Sequence, residues 1–158
     1  MRLFAGIRNS VESEKNADGR LLVIFDGHCA LCSRTVRWLI KRDRRDRLRF
    51  AASESRRGLG MLRKQAEEGS SIFVPPATIL VLRHAGTAAE QLLKRSDAIV
   101  SLLGEVPGPW PAVGTVLGLI PRTLRDLGYR VVARWRYRIW GRLESCPLPT
   151  GKERSRFL

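Results

Sequence analysis

The sequence has 158 residues, of which 44% are apolar, and a formal net charge of +14. The length suits one domain, the apolar share excludes wholesale disorder, and three cysteines are too few for a disulfide-stapled scaffold. The charge excess is almost all arginine, with only five lysines, and suggests nucleic acid, an anionic membrane or an acidic partner without choosing among them.

In chain order, residues 1–19 read as a flexible N-terminal segment with no signal-peptide core. Leu21 to Phe25 is a continuous apolar run stopped by Asp26-Gly27, the pattern of a buried central strand. A helix is expected from about Ala30 to Arg42, with Cys32, Val36, Leu39 and Ile40 on one face and Arg34, Arg37 and Lys41 opposite. Leu48 to Ala52 reads as a second strand. Ser55 to Glu68 reads as a helix with Leu59, Leu62 and Ala66 inward, weakened by Gly58 and Gly60. Ala77 to Leu82 is β-like, and residues 88–94 return antiparallel after a turn. Ser96 is a candidate N-cap for a helix through Leu103. Two further helices are expected at about 112–119 and 122–140. In the second, Leu124, Leu127, Val131 and Trp135 form a stripe read as buried, and Gly141 is a terminator. An extended tail is expected over 143–158. This order predicts a mixed α/β layer fold with a helical C-terminal third, residues 20–142 forming a single domain. No segment offers the roughly 20 apolar residues of a spanning helix, so a soluble, cytoplasmic protein is expected.

The chemistry concentrates at Asp26-Gly27-His28-Cys29-Ala30-Leu31-Cys32, between the buried strand and the amphipathic helix. Cys29 falls at the helix start, where N–H groups and the macrodipole favour a thiolate, and Cys32 falls in the first turn. The expected mechanism is attack by Cys29 on a substrate disulfide and resolution by Cys32, which shares the buried face with Val36 and is expected to be the less accessible thiol. Two blander readings stand beside it. One is a zinc site of Cys29, Cys32, Cys146 and His28 or His84, disfavoured by the lack of a second paired motif; the other is a pair of packing cysteines. Pro76, or Pro75, precedes a strand in a thioredoxin-like order, where a cis bond would set backbone beside the sulfurs.

The segment Phe25 to Cys32, followed by Val36-Arg37-Trp38-Leu39 and Arg44-Arg45, resembles the DCC family of thiol-disulfide oxidoreductases, named for an Asp and two Cys that match Asp26, Cys29 and Cys32. Leu48-Arg49-Phe50-Ala51, Arg95-Ser96-Asp97-Ala98-Ile99 and the run from Ile120-Pro121-Arg122 to Gly141-Arg142 extend the resemblance over roughly residues 20 to 150. It implies a thioredoxin-like three-layer fold with a helical C-terminal extension, a redox role and no cofactor. Pro76-Ala77-Thr78 departs from the polar pair usual in the family. Asp26 is a candidate proton acceptor near Cys32 or a turn cap, His28 a candidate stabiliser of the Cys29 thiolate, and Ser96 and Asp97 candidate site residues or a plain helix cap.

Residues 34–49 and 122–142 are strongly basic, the latter interleaved with Tyr129, Trp135, Tyr137 and Trp140. Such a pattern suits single-stranded nucleic acid or a membrane surface. Nucleic acid is disfavoured, and the favoured reading is a solvated face whose arginine stems cover apolar surface and whose aromatics are core, because no nucleic-acid motif accompanies the charge. Trp135 fits the buried stripe, leaving Tyr137 and Trp140 for surface contact. Arg34 and Arg37, a turn beyond the sulfurs, are expected to favour thiolate or an acidic substrate. The leading expectation is a dithiol-disulfide oxidoreductase acting on a protein or small-molecule thiol or disulfide. The alternative is a redox-inactive thioredoxin-like module that contacts an anionic membrane or nucleic acid through its basic helices.

Overall fold

The computed structural model describes residues 19–67, 78–85, 89–144 and 151–158. Pro75, Pro76 and Cys146 lie outside the described residues. The apolar run forms strand β1, Leu21–Phe25, and every one of its residues is buried. Alternate side chains of a strand point to opposite faces, so an unbroken apolar run needs cover on both. That is the arrangement found. Leu21, Val23 and Phe25 join one core cluster, while Leu22 and Ile24 join another.

Helix α1, Ala30–Arg42, carries the chain over to strand β2, Leu48–Ala52, which lies parallel to β1 from Leu21 opposite Leu48 to Phe25 opposite Ala52. After helix α2, Arg56–Glu67, strands β3, Leu80–Arg83, and β4, Gln91–Lys94, form an antiparallel hairpin. β3 also runs antiparallel to β1, giving a four-stranded mixed sheet in the order β2-β1-β3-β4. Helix α3, Arg95–Glu105, follows β4 directly. Val36 and Leu39 of α1 and Ala98 and Leu102 of α3 cover one face of the sheet, and Met61 and Leu62 of α2 pack on the other. The result is a three-layer, thioredoxin-like α/β fold.

The inward side of α2 differs from expectation. Leu59 is exposed, and the helix approaches the sheet at Gly58, where a β-carbon would sit 2.1 Å from the Ala52 carbonyl oxygen. The glycine that lowers helix propensity is what lets the helix lie this close to β2.

Helices α4, Trp110–Leu119, and α5, Arg122–Trp140, form the C-terminal extension and pack on α3. α5 reaches α1 as well. Trp110 meets Trp38 of α1 edge-on at 4.7 Å. Residues 151–158 are not an extended tail. Gly151–Arg156 is a 3-10 helix, Arg156 binds the buried Asp43 at 3.1 Å, and Phe157 packs against Phe25 and Phe50. Among the described residues, no helix is long and apolar enough to cross a membrane.

Candidate active site

β1 delivers the chain to the site at Asp26, which is only 4% exposed. Its Oδ1 accepts the His28 N–H at 3.0 Å, closing the turn that Asp-Gly suggests. Cys29 is then the N-cap of α1, in extended backbone geometry. Its Sγ accepts the Cys32 N–H at 3.4 Å, taking the place of the usual capping oxygen. Both cysteines are free thiols.

The two thiols differ in a direction opposite to expectation. Cys29 has no exposed surface, whereas Cys32 is partly exposed. The cover on Cys29 comes from the far end of α5. Gly141 ends that helix at φ +83, a conformation suited to glycine, and the chain then returns across the cysteine turn. Arg142 bridges Cys29 in antiparallel fashion, and the Leu143 N–H donates to the His28 carbonyl at 2.8 Å.

α5 also supplies the site's cation. Arg136, 3% exposed, donates through Nη2 to Asp26 Oδ2 at 2.8 Å and through Nη1 to Cys32 Sγ at 3.6 Å. The Tyr137 hydroxyl donates to the same Asp26 oxygen. Arg34 and Arg37, the cations expected to act on the thiols, are exposed on the opposite side of α1. Burial pushes the Cys32 thiol up to about 12, helped by the hydrogen bond and charge of Cys29, with Arg136 opposing. Cys32 therefore keeps its proton at neutral pH. Burial likewise raises the Tyr137 hydroxyl, as does its bond to Asp26.

Beside Cys32 lies a cavity of about 260 Å³ between α1 and α5, walled by Leu31, Ile79, Ile99, Tyr129 and Val132, with Arg136 at its polar end. Tyr129 fixes one wall, its hydroxyl accepting the Ile79 N–H at 2.9 Å.

The structure thus brings together Asp26, Cys29 and Cys32. His28 stands beside them but sets its Nδ1 against Glu54 Oε1, 3.7 Å away. Asp26, His28 and Glu54 are the described residues whose ligand atoms cluster closely enough for a metal ion, although Arg136 and Tyr137 already engage Asp26. Ser96 and Asp97 serve another purpose. α3 begins at Arg95 with Lys94 as its cap, the Ser96 hydroxyl donates to Asp126, and Asp97 pairs with Arg122 and Arg125 at 3.0 and 3.1 Å. They fasten α5 to α3. Sequence reasoning missed Arg136 and assigned Tyr137 to surface contact, whereas the Tyr137 hydroxyl turns inward to Asp26. The available signal was Tyr129, two turns before Arg136 on the same helix face.

A buried strand, a turn and a helix that opens on Cys-x-x-Cys, set in this sheet order, define a thioredoxin-like dithiol protein. More narrowly, the chain belongs to the family described as DCC1-like thiol-disulfide oxidoreductase, whose model matches residues 23–142. It is 28% identical over 137 residues to "Uncharacterized protein YuxK" of Bacillus subtilis (strain 168), covering 87% of this chain and 93% of that protein. It is also 28% identical over 131 residues to "DCC family protein At1g52590, chloroplastic" of Arabidopsis thaliana, covering 83% of this chain and 71% of that one. No solved structure matches the chain.

Proposed function

We propose that this protein is a dithiol-disulfide oxidoreductase in which Cys29 is the nucleophile and Cys32 the resolving thiol. The observation that carries the assignment is the asymmetry of the pair. The Cys29 sulfur caps a helix and accepts an N–H, whereas Cys32 is held protonated.

The Cys29 thiolate attacks one sulfur of a substrate disulfide, and the other sulfur leaves as a thiolate. The mixed disulfide is then attacked by Cys32, whose proton passes to the departing substrate sulfur. The second substrate thiol departs, and a Cys29–Cys32 disulfide remains, two electrons having passed to the substrate. Arg136, within reach of the Cys32 sulfur, stabilises the negative charge that develops there, and Asp26 with Tyr137 holds the guanidinium in position. Cys29 is fully buried, so its attack requires the chain that bridges it at Arg142 to move. The apolar cavity beside Cys32 suits a nonpolar group next to the substrate's sulfur.

A Cys32→Ser variant incubated with a disulfide substrate should accumulate a mixed disulfide at Cys29, seen as a stable mass adduct. A Cys29→Ser variant should accumulate much less. Equal adducts on both variants, or none on either, would remove the assigned roles and favour the redox-inactive binding module.

A further inference from the structure

The stripe Leu124, Leu127, Val131 and Trp135, expected to be buried, faces outward. These four residues are 59%, 53%, 52% and 47% exposed, and Ile139 continues the line at 62%. Leu119, at the corner between α4 and α5, is 80% exposed. Of the exposed large hydrophobics among the described residues, all but Leu59 lie on α4, α5 or the turn between them. α4 has no charged residue, whereas α5 has six arginines against one aspartate. At 100° per residue, Arg130, Arg134 and Arg138 run along one edge of the stripe, and the Arg138 guanidinium lies 5.7 Å from the Trp135 ring. All three arginines are exposed.

We infer that the outward face of α4 and α5 docks on an anionic lipid bilayer. A contiguous exposed apolar face calls for a partner, and the charge beside it selects which. A second copy of this chain offers no acidic row to meet the arginines, since α5 carries a single aspartate. A nucleic acid would satisfy the arginines but not an aliphatic stripe in which Trp135 is the one ring available for stacking. An anionic bilayer matches both features. The aliphatic side chains enter the headgroup–acyl boundary, the arginine stems reach back to the phosphates, and Trp135 sits at the interface. This is attachment to a surface without crossing it, consistent with the arginines of α5. It goes beyond the redox assignment and does not depend on it.

The test is co-sedimentation of the full chain with vesicles of phosphatidylcholine alone and of phosphatidylcholine mixed with phosphatidylglycerol. Binding is expected only to the anionic vesicles and should weaken with salt. Removal of an arginine near such a surface costs about fivefold. The Arg134→Gln/Arg138→Gln double variant should therefore bind about 25-fold more weakly. Leu127→Gln/Val131→Gln should lose about tenfold or more, its fold checked by circular dichroism. Cys29→Ser should bind as the wild type does. Failure to sediment with anionic vesicles would overturn the inference. So would unchanged binding of the Leu127→Gln/Val131→Gln variant, which would reduce the effect to adsorption by net charge. A dimer abolished by that variant, or oligonucleotide binding lost in it while vesicle binding is kept, would assign the face elsewhere and equally overturn it.

Discussion

The two sides of α5 invert the usual relation between polarity and burial. Its inner side presents Tyr129, Arg136 and Tyr137 to the domain, and its outer side presents Leu124, Leu127, Val131 and Trp135 to the surroundings. The inner side is polar because of what it covers: the Asp26 carboxylate, the Cys32 sulfur and the Ile79 N–H. Each of these needs a partner once water is removed. The difference teaches that this helix is positioned by polar groups at a site, not by an apolar stripe seeking a core.

The largest effect should come from breaking that polar attachment. Arg136→Met leaves the buried Asp26 carboxylate without its cation and should destabilise the protein by about 3–5 kcal/mol in urea unfolding. Adding Asp26→Asn to Arg136→Met should restore part of the loss, because the uncompensated charge is then gone. A pair that merely filled space would show no such recovery.

The pH dependence sharpens the same side of the comparison. The Cys32 pKa is raised in the folded protein from 9.0 to about 12, so the stability tied to its protonated form is fully present below about pH 9. It is lost as pH rises through that window towards 12. Thermal unfolding of the wild type should therefore fall more steeply above pH 9 than that of Cys32→Ser. Parallel curves would show that the thiol is not held protonated by its surroundings.

A smaller loss, about 1–2 kcal/mol, is expected for Tyr129→Phe, which removes the acceptor for the Ile79 N–H. The smallest effect belongs to the outer side. Leu127→Gln/Val131→Gln should change stability by no more than about 0.5 kcal/mol per site, since both residues are more than half exposed. A loss of several kcal/mol would place the stripe in a core and erase the contrast between the two sides.

The fold was largely legible because β1 and α1 have periodicities that only one environment satisfies. An unbroken run such as Leu21 to Phe25 belongs between two layers, and Val36, Leu39 and Ile40 fall on one helix face that does bury. Cys29 and Cys32 were legible from the same junction of strand and helix. α5 was misread because an apolar stripe was equated with an inner face. Its true inner face is set by residues 50, 104 and 110 positions earlier in the chain, and no local pattern carries that information. Arg136 was hidden among arginines that look alike in sequence and differ only in what lies opposite them. The same long reach explains Cys29. Its position as a cap was local and readable, but its cover comes from Arg142 and Leu143.

The central claim is that Cys29 and Cys32 form a redox-active pair, and intact mass after mild oxidation tests it most directly. The full chain should lose the mass of two hydrogens, and peptide mapping should link Cys29 to Cys32. A dithiol reductant should restore both thiols, and Cys29→Ser should show no such link. Two thiols still open to alkylation after oxidation, or a disulfide that uses Cys146 in place of either partner, would contradict the account.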